Sequence, residues 1–213
     1  MLTENRGGNR MSRLVVLAGL VMALALALPD TTQATTYNEI KKLTASDAEA
    51  GDLFGGRVAV SGDTAAVGAR FEDAGGEDAG AAYIFQRDEG GADNWGEVTK
   101  LTASDATAGD FFGFSVAVSG DTAVVGAHGE DTGGTFAGAA YVFERGEGGA
   151  DNWGQVEKLT ASDPETLDQF GVSVAVSGDT AVVGAIQGDA GDSNTGSAYV
   201  FSETRAARTT GAK

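Results

Sequence analysis

The 213 residues carry 31 Asp and Glu against 14 Lys and Arg, a formal charge of −17, with 33 Gly, 2 Pro, one His and no Cys. A chain this acidic is a poor partner for nucleic acid or for an anionic lipid surface, since both need a positive face, and without cysteine it has neither disulfides nor thiolate chemistry. Divalent cations, basic proteins and neutral glycans stay open as partners, beside a merely acidic, highly soluble surface.

Residues 1–10 read as an extended start. Met11-Ser12-Arg13 is a short positive segment, and Leu14 to Leu28 is an unbroken apolar run of 15 residues. Pro29 ends it, and Thr32-Gln33-Ala34 puts small residues at the two positions that matter for cleavage. A spanning helix needs about 20 apolar residues, so the pattern predicts a secretory signal peptide over 1–34, cut after Ala34. The expectation is a secreted, periplasmic or cell-surface protein with no stable membrane span after cleavage. Cleavage removes Arg6, Arg10 and Arg13 but only Glu4 and Asp30, so what remains is more acidic still.

From Thr36 onward the chain repeats. Phe54 to Ala69 reads FGGRVAVSGDTAAVGA, Phe112 to Ala127 reads FGFSVAVSGDTAVVGA, and Phe170 to Ala185 reads FGVSVAVSGDTAVVGA. The offset of 58 residues holds for Leu43, Leu101 and Leu159, for Tyr83, Tyr141 and Tyr199, and for Tyr37, Trp95 and Trp153. A strict period marks a repeat architecture in which each unit is one supersecondary block stacked on its neighbours. The repeats fill residues 35–205 as units of about 36–88, 89–147 and 148–202, and 206–213 is expected to be a disordered tail.

Each unit offers four strands. The first is Glu97 to Thr102, with equivalents Glu39 to Thr44 and Gln155 to Thr160. The second and third form a hairpin: Val116 and Val118 alternate with Ser115, Ala117 and Ser119. Gly120-Asp121 suits a two-residue primed turn, in which Gly supplies positive φ. Thr122 to Ala127 returns, apolar on both faces, as a strand between two layers does. The fourth strand is Gly138 to Glu144. Four antiparallel strands per repeat predict an all-β fold of propeller-type blades, three four-stranded units making a partial propeller. A solenoid rung would be shorter than the 58-residue repeat, and a sandwich would not repeat in register.

Phe112-Gly113, followed by Gly126-Ala127 and by Gly138-Ala139-Ala140-Tyr141-Val142-Phe143, resembles the FG-GAP repeat, the blade unit of integrin α-chain propellers and of many bacterial extracellular proteins. The Leu-Thr-Ala-Ser-Asp segment before the Phe-Gly is similar to the bacterial branch. The resemblance implies a seven-bladed ring, whereas this chain has three blades. It also implies an Asp-rich calcium loop, where this chain has only Ser61-Gly62-Asp63-Thr64 and its copies. One Asp in a tight turn cannot supply the six to eight oxygens calcium prefers, so that site does not carry over.

Residues present in all three units are most simply scaffold. Trp95 and Trp153, with Tyr37 as the third, read as packing residues rather than sugar platforms, and Asp63, Asp121 and Asp179 read as turn residues. The variable positions lie in the loops starting at Arg70, His128 and Ile186, where binding residues concentrate on a rigid scaffold. Arg70, Phe71, His128, Phe136, Ile186 and Gln187 are the binding-loop candidates. These loops share one end with the loops carrying Asp47, Asp105 and Asp163 and their neighbours. Sixteen acids gather there, either as a solvated rim or as a face for a cation or a basic partner. Weak calcium binding is expected at Asp73, Asp78, Asp131, Asp189 and Asp192; no other cofactor is expected.

Catalysis finds little support. His128 occurs in one unit only and has no repeated nucleophile near it. The reading is therefore an exported, non-catalytic propeller-type module for interaction with an extracellular protein or surface glycan. The alternatives are an accessory fragment of a larger propeller with a structural role, and an extracellular hydrolase. Three blades are too few to close a ring, since propellers use about four to eight. Self-association, or pairing with another propeller-type chain, is expected to cover the end blades.

Overall fold

The computed structural model describes residues 36–147, 149, 152–188 and 195–204. The signal peptide, the tail, Asp189 and Asp192 lie outside the described residues. The chain divides into residues 1–38 and a unit over 39–213. In the first, Thr36 to Asn38 form no strand and Tyr37 is 96% exposed. In the second, the described residues hold eleven strands and no helix.

Three antiparallel sheets follow one another, so the all-β, blade-type reading holds. Blade 1 consists of β1 (Arg57–Ser61), β2 (Thr64–Ala69), β3 (Ala81–Gln86) and β4 (Gly96–Leu101), paired in that order. Blade 2 repeats it with β5 (Ser115–Ser119), β6 (Thr122–Ala127), β7 (Ala139–Arg145) and β8 (Trp153–Leu159). Blade 3 has β9 (Phe170–Ser177), β10 (Thr180–Ala185) and β11 (Ser197–Ser202). The hairpins close as the sequence predicts. Ser119 pairs with Thr122 across a two-residue turn, and Gly62, Gly120 and Gly178 take φ of 57°, 57° and 52°. β6 is buried from Ala123 to Ala127, as a strand between two layers must be.

The frame of the blades differs from the frame of the repeats. The strand expected to open the second unit, β4, instead closes the sheet of the first: Tyr83 pairs with Lys100 and Ala82 with Leu101. β8 does the same for blade 2, with Tyr141 opposite Lys158. The expected first strand, Glu39 to Thr44, has no sheet to close, and among the described residues it joins no ladder. The reason is connectivity. After β3 and β7 the Gly-rich turn brings the chain straight back antiparallel, which satisfies the edge of the sheet just finished. Only then, through Leu101 and Ala103 or Leu159 and Ala161, does the chain pass to the next blade's core.

Two glycine positions let adjacent blades touch backbone to backbone. A methyl group placed on Gly68 would overlap the Gly113 carbonyl oxygen, and one on Gly126 the Gly171 carbonyl oxygen. Gly80, at φ 86°, bridges Phe112, and Gly138, also at 86°, bridges Phe170. The Phe-Gly dipeptide serves both directions. Its backbone joins the preceding blade, through Phe112 N–H to the Ala79 carbonyl at 2.8 Å, while its ring packs edge-on against Tyr141 at 5.5 Å and Phe143 at 5.9 Å in its own blade. Trp153 is buried between blades 1 and 2, and Trp95 packs on blade 1 beneath Arg87, so both serve packing.

Candidate functional site

The acidic loops are built into the structure more than a solvated rim would be. Asp52, Asp110 and Asp168 are buried, and each carboxylate accepts the N–H of the residue three before it: Glu49, Thr107 and Glu165, at 2.7, 2.7 and 2.8 Å. Burial raises the Asp110 carboxyl above its ordinary value, against the opposing hydrogen bonds from Thr107. Glu72 and Glu130 are buried as well and pair with Lys100 and Lys158 at 2.6 and 2.9 Å. The same ammonium groups reach Asp47 and Asp105, which accept the Tyr83 and Tyr141 hydroxyls at 2.7 and 2.9 Å. The Lys100 and Tyr83 hydrogen bonds hold Asp47 below its usual pKa. At Asp105 burial pushes upward, but Lys158 and Tyr141 outweigh it and the shift is downward.

Asp73 and Asp131 each cap their own loop. Asp73 Oδ1 accepts the Asp78 N–H, and Asp131 Oδ1 accepts the Phe136 N–H, both at 2.8 Å. Among the described residues no three carboxylate or imidazole side chains converge as a metal-binding group.

The residues that do converge are aromatic and cationic. Four binding-loop candidates, Arg70, Phe71, His128 and Phe136, meet where the loops of blades 1 and 2 come together. His128 stacks on Phe111 at 5.3 Å, lies 4.0 Å from Phe114 and meets Phe136 edge-on at 6.4 Å. Phe71 meets Phe111 edge-on at 5.7 Å. The Arg70 guanidinium lies 4.7 Å from the Phe71 ring and 5.4 Å from Phe114, with Arg57 5.3 Å from Phe114. Except for exposed Arg57, every one of these side chains is half-buried. Ile186 and Gln187 are on blade 3, and no ring contact joins them to the group; Ile186 is exposed.

Local backbone sets this geometry. Phe111 and Phe136 have φ of 54° and 57°, a left-handed conformation that their copies Leu53, Gln169 and Asp78 share at 52°, 56° and 56°, so the repeat fixes the backbone and this unit places aromatic rings on it. Each is pinned: Phe111 N–H donates to the Asp78 carbonyl at 3.1 Å, and Phe136 N–H to Asp131. Asp131 thus works as a positioning residue for an aromatic ring. Burial, and secondarily Arg70, lowers the His128 pKa to about 4, and His128 Nδ1 is buried with no hydrogen-bond partner among the described residues. The imidazole is therefore neutral at ordinary pH and acts as one more aromatic face.

Arg57, Phe111 and Phe114 were not singled out from the sequence. Their signal was present. At these positions the copies read Arg, Ser, Ser at 57, 115 and 173; Leu, Phe, Gln at 53, 111 and 169; Gly, Phe, Val at 56, 114 and 172. Variation within the hairpin approach carries the same information as variation in the longer loops.

Comparison with protein-family models finds the FG-GAP repeat at residues 37–85, 95–143 and 153–201. A comparison with curated proteins finds no match.

Proposed function

Since the chain belongs to the FG-GAP repeat family, its three matches covering most of its length, we propose that it is an exported, non-catalytic binding module whose contact face is the patch of Phe71, Phe111, Phe114, His128, Phe136, Arg57 and Arg70. The observation that carries this reading is that seven side chains, none of them repeated in all three units, meet on one face of blades 1 and 2. Half-buried aromatic rings beside guanidinium groups are what protein interfaces enrich at their energetic centre. Carboxylates beside the rings are one source of acceptors for the hydroxyls of a glycan. Here Asp73, Asp131, Glu72 and Glu130 are already engaged with backbone N–H groups or lysine. The patch fits a protein segment with an apolar side chain flanked by a carboxylate. Export is supported by the Leu14 to Leu28 run and Thr32-Gln33-Ala34. Against catalysis stands the setting of His128, which is flanked by phenylalanines rather than by a nucleophile and a carboxylate.

A photo-reactive benzophenone side chain at position 136 tests the reading in cells that produce the protein. The expected result is a defined, protease-sensitive adduct that disappears with Arg70→Glu. A benzophenone at Asp179, in the opposite hairpin turn, should give no such adduct. Identical adducts from both positions, persistence with Arg70→Glu, or an adduct destroyed only by glycosidase would each overturn it.

A further inference from the structure

The pattern Lys-Leu-Thr-Ala-Ser-Asp occurs at 42–47, 100–105 and 158–163. The residues leading into the second and third copies form β4 and β8, the outer strands of blades 1 and 2. The residues leading into the first copy, Tyr37 to Leu43, join no ladder among the described residues, and Tyr37, Ile40 and Lys42 are exposed. Blade 3 presents the reciprocal lack. β11 pairs with β10 alone, so its outer edge has no ladder partner among the described residues. Among the described residues there is thus one unplaced outer strand and one sheet without one.

Three independent features of blade 3 match that strand and the blade attached to it. The first is the glycine pair. Gly68 and Gly126 each lie against the next blade's Phe-Gly backbone, as do Gly80 and Gly138. Their blade 3 copies, Gly184 and Gly196, face no backbone from another blade among the described residues, although Gly196 keeps the positive φ of 78°. The second is charge. In blades 1 and 2 the lysine of the outer strand pairs with the Asp that accepts the tyrosine hydroxyl. In blade 3 Asp163 accepts the Tyr199 hydroxyl at 2.8 Å but, among the described residues, has no ion pair, and neither has Lys42. The third is a cleft of about 580 Å³ between blades 2 and 3, lined by Val142, Leu159, Val176, Ala181 and Phe201 among others. Between blades 1 and 2 the corresponding place is filled by Trp153. Tyr37 is the residue that stands at the Trp95 and Trp153 position in the unplaced strand.

The opposite surface is complementary. Val58 and Val60 on blade 1 are 70% and 69% exposed, whereas their copies Val116 and Val118 are buried against blade 1. Val200 and Ala198 on the far face of blade 3 are exposed, whereas Ala82 and Ala140 are fully buried.

We propose that a second copy of the chain completes blade 3. Its Tyr37–Leu43 segment adds antiparallel to the free edge of β11, its Phe54-Gly55 backbone seats on Gly184 and Gly196, and its blade 1 packs on the outer face of blade 3. The contact continues the interface that already joins blades 1 to 2 and 2 to 3. The register follows from those blades: Lys41 of one copy opposite Val200 of the other, Lys42 opposite Tyr199 and within reach of Asp163, Leu43 opposite Ala198. Tyr37 enters the cleft. The contact is head-to-tail, so repetition gives a closed ring or a filament. None of this depends on the aromatic patch.

The absence of native cysteine makes the register directly testable. A full chain carrying Lys41→Cys is mixed with a full chain carrying Val200→Cys under mild oxidation; both positions are exposed, so neither change disturbs the fold. Disulfides require closely matched Cα positions, so mixed dimers should exceed those from a slipped pair, Lys42→Cys with Val200→Cys, by about tenfold. Adding Val58→Glu and Val60→Glu to the chain carrying Lys41→Cys, whose blade 1 faces blade 3 of the other copy, should abolish the mixed dimer while circular dichroism stays unchanged. Equal yields from matched and slipped pairs would overturn the proposal. So would a monomeric mass by light scattering at every concentration, or association of the two chains in which no 41–200 disulfide forms.

Discussion

Blades 2 and 3 contain the same strand, Thr-Ala-Val-Val-Gly-Ala, as β6 and β10. In blade 2 it is almost entirely buried. In blade 3 its copy alternates, with Val183 fully buried and Val182 37% exposed. The residues, the hairpin turn and the pairing with the next strand are the same, so the local sequence does not account for the difference. The neighbouring sheet accounts for it. Val124 has blade 3 behind it, and Val182 has no sheet behind it among the described residues. Burial in a stacked repeat is thus a property of the interface and only secondarily of the strand.

Glycine substitution should break this equivalence most sharply. A side chain at Gly126 would overlap the Gly171 carbonyl of the adjacent blade, where rigid backbone must move. Gly126→Ala should cost about 3 kcal/mol or more in urea unfolding. The identical change Gly184→Ala meets only the Ser173 hydroxyl, which can rotate away, and should cost under about 1 kcal/mol at dilutions where the chain is monomeric. Equal costs would mean that the two blades are not differently covered.

The loop end allows a second contrast, between His128 and its copy Ile186. Because the folded state lowers the His128 pKa to about 4, the unfolded chain binds the extra proton first as pH falls below the ordinary histidine value near 6.5. Stability from keeping this imidazole neutral is therefore complete above about pH 6.5 and is lost as pH falls toward 4. The loss should be about 2 kcal/mol, and His128→Ile, which gives blade 2 the residue of blade 3, should remove it. Urea midpoints measured from pH 7.5 to 4.5 in both chains decide this. An unchanged slope in His128→Ile would place the titration elsewhere.

The smallest expected effect sharpens the comparison at the strand itself. Val124→Ala deletes buried methyl groups and should cost about 1.5 kcal/mol, while Val182→Ala should cost under about 0.5 kcal/mol. If a second copy packs on blade 3, the Val182 value should rise toward the Val124 value with protein concentration. A Val182 cost that stays small at all concentrations, in a chain shown to be oligomeric, would mean that another surface makes the contact.

Of the candidate site, the loops were legible and the convergence was not. Arg70, Phe71, His128 and Phe136 stood out because they differ between near-identical copies. Phe111 and Phe114 differ in the same way, but they sit inside the repeated hairpin approach, where the Phe-Gly signal dominates. That Phe111 belongs beside Phe71, forty residues earlier, depends on the Asp78 carbonyl that captures its N–H. The acidic end was legible as a count of charges, yet a count cannot tell a solvated carboxylate from one that caps a turn. Asp52, Asp110 and Asp168 cap turns because each carboxylate lies within reach of an N–H three residues back.

The sequence by itself determined the repeat, the strands and the hairpin turns. Period-two alternation, a Gly-Asp turn and a strand apolar on both faces are local signals, written three times. Which strands share a sheet was decided only by tertiary structure. With nearly identical copies 58 residues apart, the outer strand could in principle close the sheet before it or open the one after it. Residue identity alone does not choose between them. The choice fell to the free edge of β3 and β7, whose N–H and C=O groups are satisfied at once by the returning chain, and to the glycines through which one blade's backbone can touch the next.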